Sequence, residues 1–138
     1  MSKGTETPGL FVFTREAQGV WSFKVEAATV SFAASLSEWT GLSGERDVVR
    51  ANGNGRRAEV TPLNAPGPTL VLAFVAKTGA APSFVGAPIF QSLGAVGNTV
   101  GHAGVHLITD GGVGIPTASW SWTGTSSWTA VAVNFRKQ

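Results

Sequence analysis

The sequence predicts an all-β domain: an antiparallel β-sandwich of jelly-roll type, with eight or nine strands and no significant helix. Three observations carry this. Apolar and polar residues alternate along several short segments, the period-2 pattern of half-buried antiparallel strands. No 12-residue window outside the glycine-rich stretches holds an apolar stripe at helical spacing. The 138 residues include 18 glycines and 7 prolines, clustered between the alternating segments where short strands need turns.

Residues 1–8 are polar, without apolar periodicity or a signal-peptide pattern, and read as a flexible arm ahead of a single domain over residues 9–138. Residues 10–15 alternate and are rich in Phe and Val, which predicts a strand; 16–19 predict a turn. Over residues 20–27, Trp21, Phe23 and Val25 share one side and Ser22, Lys24 and Glu26 the other. Residues 29–39 continue in the same way, with Val30, Phe32, Ala34 and Leu36 opposite Ser31, Ala33, Ser35 and Ser37. Residues 41–68, rich in Gly, Asn, Arg and Pro, predict a long loop with one short strand near 58–61. A loop of that length in a compact domain is functional or ordered by a partner.

Residues 69–76 are apolar on both faces and predict a central strand covered on both sides. Residues 78–100 are again loop-like, with a short strand near 88–91. Residues 104–109 predict a strand, and Asp110-Gly111-Gly112 a turn. Residues 117–122 alternate, Ala118, Trp120 and Trp122 against Ser119 and Ser121. Gly124-Thr125 predicts another turn. Residues 128–136 close the domain, with Thr129, Val131, Val133 and Phe135 opposite Trp128, Ala130, Ala132 and Asn134.

Charged residues make up 13% of the chain and the net charge is +2, against about a quarter charged in ordinary domains. A surface this poor in charge self-associates readily, so a homo-oligomer is expected. The absence of cysteine removes any disulfide framework or thiolate metal site. The longest apolar stretch, 69–76, is too short to cross a bilayer, and no membrane partner is expected. Arg50, Arg56 and Arg57 form the one basic cluster, around Asn52-Gly53-Asn54-Gly55, and read as a solvated loop tip. A nucleic-acid surface needs more Lys and Arg with exposed aromatics between them, so no nucleic-acid partner is expected.

Groups for catalysis are few: two His, two Asp, six Glu and no Tyr. His102 and His106 have a spacing that would join them on a helix. Their Gly- and Val-rich surroundings favour a strand, where they stand ~13 Å apart at about 3.3 Å per residue, too far for one ion. They read as rim histidines, and Asp110 as an acceptor that steadies its turn. Glu38 and Glu45 flank Trp39-Thr40-Gly41. Paired carboxylates serve glycoside hydrolysis, but nothing in the sequence marks either as perturbed. Gly53-Asn54-Gly55 and Gly111-Gly112-Val113-Gly114 lack the strand-to-helix context of a phosphate loop. The expectation is a protein without cofactor, metal or catalytic residues. The binding or interface candidates are the Arg50, Arg56 and Arg57 cluster and the tryptophans Trp120, Trp122 and Trp128, with Trp39. Such a row can fill a core, anchor a subunit interface or stack on a sugar ring; the core is the first expectation.

Three features carry a resemblance: Val30-Ser31-Phe32-Ala33-Ala34-Ser35-Leu36-Ser37-Glu38-Trp39-Thr40-Gly41-Leu42, the apolar segment 69–76 after a Pro-Gly-Pro turn, and the closing Ser127-Trp128-Thr129-Ala130-Val131-Ala132-Val133-Asn134-Phe135-Arg136. Over residues 28–138 the chain resembles small jelly-roll proteins of tailed bacteriophages of Gram-positive hosts, of the head-decoration and minor tail type. That resemblance implies a virion surface protein, assembled in the host cytoplasm. It would be a trimer that cements the head through the major capsid protein or other virion subunits. The alternative it implies is a tail or adhesion module that binds host glycans through its tryptophans. A glycan binder should expose a Trp in a groove lined by polar groups. A cement protein should hide its tryptophans and present apolar side chains to its neighbours.

Overall fold

The computed structural model describes residues 33, 37–111 and 114–138. The expected arm at 1–8, the strands at 10–15 and 20–27, and most of the segment at 29–39 lie outside these residues; residues 37–40 are not in a strand. The described residues are all-β, in the strands β1 (Leu42–Val60), β2 (Thr69–Thr78), β3 (Ser83–Phe84), β4 (Gln91–Val96), β5 (Val100–Thr109) and β6 (Ala118–Lys137). They contain no helix, and so none long and apolar enough to cross a membrane. Every pairing is antiparallel, in the order β1-β6-β2-β5-β4, with β3 also paired to β6.

β2 is the centre of the sheet, as its sequence predicts. It lies between β6 and β5, and all its residues except Thr78 are buried. Val71, Ala73 and Val75 point to one face, where they meet Val105 and Leu107 of β5 and Ala130 and Ala132 of β6. Leu70, Leu72, Phe74 and Ala76 point to the other, with Val131, Val133 and Phe135 of β6. A strand with two buried faces reads as a near-continuous apolar run, here with buried Thr69 and Lys77 towards its ends, and each buried Val, Leu or Phe contributes roughly 1.5–3 kcal/mol.

The turn expected at Gly124-Thr125 is not a reversal. β6 runs through it as a single strand of 20 residues. Its register with β1 reaches Gly55↔Ser126 and resumes at Arg57↔Ser121. Four residues of β6, 122–125, therefore face the single residue Arg56 of β1. The excess is taken up as a bulge in which Gly124 adopts φ +82°, a conformation that glycine reaches without a Cβ penalty. The chain keeps its direction because β1 continues alongside on both sides of the bulge.

β1 itself replaces the long loop expected at 41–68. Its alternation is real but is carried by small residues. Val49, Ala51, Gly53 and Gly55 are half-buried, while Arg50, Asn52, Asn54 and Arg56 are exposed. Glycine at two inward positions erased the apolar half of the signal. At the bulge the facing switches, as a one-residue slip requires, so Arg57 is exposed and Ala58 and Val60 are buried. The three arginines expected at a loop tip thus stand on a strand. β4 likewise begins where the strand expected at 88–91 ends, and β5 starts four residues earlier than expected, at Val100.

The pairing of β2 with β6 ends at Lys77↔Trp128. Yet Ala118 and Trp120 of β6, and Ala58 and Val60 of β1, share one core with Val71, Ala73, Val75 and Val105. Past the bulge, the β1–β6 ribbon must therefore fold over that face of the sheet and supply the second layer of the core, consistent with a sandwich. β3 joins this layer through Phe84↔Trp120, and the Val85 N–H donates to the Ser119 carbonyl at 2.9 Å.

Candidate functional site

The structure separates the tryptophans that the alternation had grouped. Trp120 is fully buried, its ring 5.7 Å from that of Phe84 at 73°. It is a core residue and has no surface to offer a ligand. Trp122 is half-buried; its Nε1 donates to the Gly55 carbonyl at 3.1 Å, and the Lys77 Nζ stands 5.4 Å from its ring centroid, within cation–π range. The Lys77 side chain is buried and donates to the Ala80 carbonyl at 2.8 Å. Burial pushes its amine below the ordinary lysine value, because the charged form loses hydration.

Trp128 is also half-buried and lies on Gly53. A Cβ added at Gly53 would stand 2.8 Å from Cζ2, 3.0 Å from Cε2 and 3.2 Å from Nε1. The Cζ2–Cε2–Nε1 edge of the indole is packed closely on the strand at Gly53. Gly53 thus makes room for Trp128, and the Gly55 carbonyl holds the Trp122 N–H. Glycine inside a strand marks a close approach of this kind.

The bulge sets a polar pair beside Trp128. Arg57 Nε is 2.6 Å from Glu59 Oε1, with both side chains more than half exposed. The Ser119 hydroxyl donates to the same Glu59 oxygen at 3.4 Å. Arg57, Glu59 and Trp128 line an open cleft of about 460 Å³. Arg50 and Arg56 are exposed but do not line it. Glu59 was not singled out by the sequence, where it is an acid alternating with apolar neighbours; Gly53 was, but only as part of a loop.

Trp39 is half-buried, its Nε1 donating to Ser37 Oγ at 3.0 Å and its ring 4.8 Å from that of His106. His102 and His106 do lie on a strand, opposite Ala76 and Leu72 of β2, both facing away from the Trp128 side. His102 is buried rather than at a rim, and stacks on Phe74 at 5.9 Å and 20°. Among the described residues no group of three or more His, Asp or Glu is close enough to hold a metal ion. In the turn after β5 the acceptor is Thr109, whose hydroxyl takes the Gly111 N–H at 3.2 Å. Glu38 is exposed ahead of β1, and Glu45 falls within β1.

Burial holds the His102 imidazole below its ordinary pKa of 6.5. The unfolded chain therefore binds a proton at a higher pH than the folded one, and folding stability is complete above about 6.5 and declines as the pH falls below it. Urea melts should show a lower midpoint at about pH 5.5 than at about pH 7.5, and His102→Gln should narrow that gap. A gap of the same size in the variant would assign the pH response to other groups.

No protein-family model matches the chain, and no curated protein matches it. Among solved structures it is similar to a chain in the tripod (BppUct-A-L) from the baseplate of bacteriophage Tuc2009. The TM-score is 0.43 and the identity 8%, over 92% of this chain and 84% of that one. A likeness this distant carries over neither a role nor a residue.

Proposed function

We propose that the chain is a non-enzymatic structural component of a tailed-bacteriophage virion, working through contacts between subunits. One observation supports the part of this reading that concerns subunit contacts: in a charge-poor chain, Val48, Leu63, Val85, Ile89, Val96 and Ile108 are between 44% and 56% exposed. Single exposed aliphatics are ordinary. The chain as a whole carries few charges to keep copies apart, and Val85 and Ile89 share the short connection between β3 and β4. Burial of such side chains between subunits is what holds an assembly together. The specific form is a trimer at the virion surface, cementing the head against the major capsid protein.

Two measurements test it. Light scattering of the purified chain should give three times the 14.2 kDa chain mass, and Ile89→Asp should reduce that mass. Immunogold electron microscopy should place the chain on the particle. Label on the head supports decoration, label on the tail moves the same assembly there, and unlabelled particles overturn the proposal.

A further inference from the structure

We propose that the outer edge of β4 is a pairing site for the β4 of a second copy of this chain, joined antiparallel across a two-fold axis so that the two sheets run on as one. This contact goes beyond the assembly reading and does not depend on it. It joins copies two by two, whatever ring they otherwise form.

The backbone offers the contact. β4 ends the sheet, and among the described residues it pairs with β5 alone. All of its residues except Leu93 are exposed. An edge strand turns a row of N–H and C=O groups outward, and a further strand satisfies them. Proteins guard such edges with charges and prolines. β1, at the opposite edge, is guarded in this way: Arg46, Asp47, Arg50, Arg56, Arg57 and Glu59 are exposed along it. β4 has neither a charge nor a proline, and from residue 78 to residue 109 the chain holds no Asp, Glu, Lys or Arg. Its one guard is the bulge between Ser92 and Gly94, where the Gly94 N–H donates to the Ser92 hydroxyl at 3.0 Å.

The side chains identify the partner. Val85, Ile89, Val96 and Ile108 are exposed aliphatics of this same uncharged stretch. The pair Gln91↔His106 opens the β4–β5 register. Ile89 lies two residues before it on one strand and Ile108 two residues past it on the other, at one corner of the edge. Val96, opposite His102, stands at the far end of β4. Antiparallel pairing about the middle of β4 brings the Ile89 corner of each copy beside the Val96 end of the other, so aliphatics are covered at both ends. Like charges set opposite one another destabilise a strand pair. β4 against itself has none, whereas β1 against itself would set a row of arginines against its own copy.

Six residues a side make a small interface, of the weak and reversible class. Pairing should therefore emerge as the concentration rises, above the dilute range in which the threefold mass is read.

The test is light scattering of the full chain over a concentration series, with hydrogen exchange measured at both ends of the series. The mass should double between the dilute and the concentrated protein, whether the dilute species is one chain or three. Exchange at residues 91–96 should slow several-fold over the same range, and exchange along β1 should not. Ala95→Lys and Val96→Lys, both at exposed positions, should abolish the doubling while melting like the parent. Asn52→Lys, the same charge placed on exposed β1, should leave it intact. Exchange in the parent needs no variant, and decides the point if a lysine variant is destabilised. The proposal is overturned if the mass does not double, if both β4 variants double like the parent, or if Asn52→Lys abolishes the doubling as they do. It is also overturned if residues 91–96 are fully protected at the lowest concentration, since the edge would then be satisfied without a second copy. A dilute mass of one chain that still doubles would count against the trimer and leave β4 pairing standing; a trimer that never doubles would do the reverse.

Discussion

Trp120→Ala should cost the fold about 3–5 kcal/mol, the usual range for removing a large buried aromatic. Typical domains hold only about 5–15 kcal/mol in total, so the variant should be partly unfolded at physiological temperature. Trp120 is the largest of the fully buried side chains among the described residues. It lies where the folded-over end of the β1–β6 ribbon meets the sheet. Phe84 packs edge-on against it, and Phe90 edge-on against Phe84 at 5.7 Å and 71°. Alanine would therefore open a cavity between the two layers rather than at an edge, where neighbours could collapse into it. The indole N–H has no hydrogen-bond partner among the described residues, which carries a desolvation cost of about 1–3 kcal/mol. Trp120→Phe removes that unpaired donor along with one ring and should cost clearly less than alanine, roughly 1–2 kcal/mol. Urea denaturation of the three proteins checks the order. Equal losses for Phe and Ala would mean that packing at this position is not the source of the stability.

Which parts of this were legible in the sequence depends on where each signal resides. β2 was legible because two buried faces leave an unbroken apolar run. The two halves of β6 were legible as alternating segments, but their union was not. Gly124 marks a turn and a bulge equally well, and the difference lies in β1, whose pairing spans both halves. β1 was missed because Gly53 and Gly55 hold inward positions that elsewhere carry Val or Phe. The smallness of Gly53 answers to Trp128, 75 residues further along the chain, and no local window contains both. Alternation correctly put Trp120 and Trp122 on one side of a strand. It could not say that the bulge intervenes at once after Ser121, leaving Trp120 under the second layer and Trp122 at the bend. The cleft followed the same logic. Arg57 was noticed as charge, but its partner Glu59 and its neighbour Trp128 come together only when the ribbon bends.

Gly101→Ala should be clearly damaging, although it adds one methyl group and its φ is not left-handed. Gly101 is buried, opposite Lys77 on β2. A Cβ there would stand 2.5 Å from the Ala80 carbonyl oxygen and 2.6 Å from the Ala81 nitrogen. These are backbone atoms and cannot rotate out of the way. They are also held in place: the Gly79 N–H donates to Thr99, the Ala81 N–H to Gly97, and the Ala80 carbonyl accepts from Lys77. Making room means moving the 79–81 connection and releasing the Lys77 amine, which is buried and has this carbonyl as an acceptor. Overpacking of this kind costs about 1–3 kcal/mol, and at roughly 2–8 °C per kcal/mol the melting temperature should fall visibly. Gly55→Ala is the matched control. It lies on a strand with negative φ and would meet nothing within 4 Å, so its melting temperature should stay within about a degree or two of the parent. Equal melting of the two variants would show that the 79–81 connection does not lie tightly over β5, and with it the tight closure of that end of the sheet would fall.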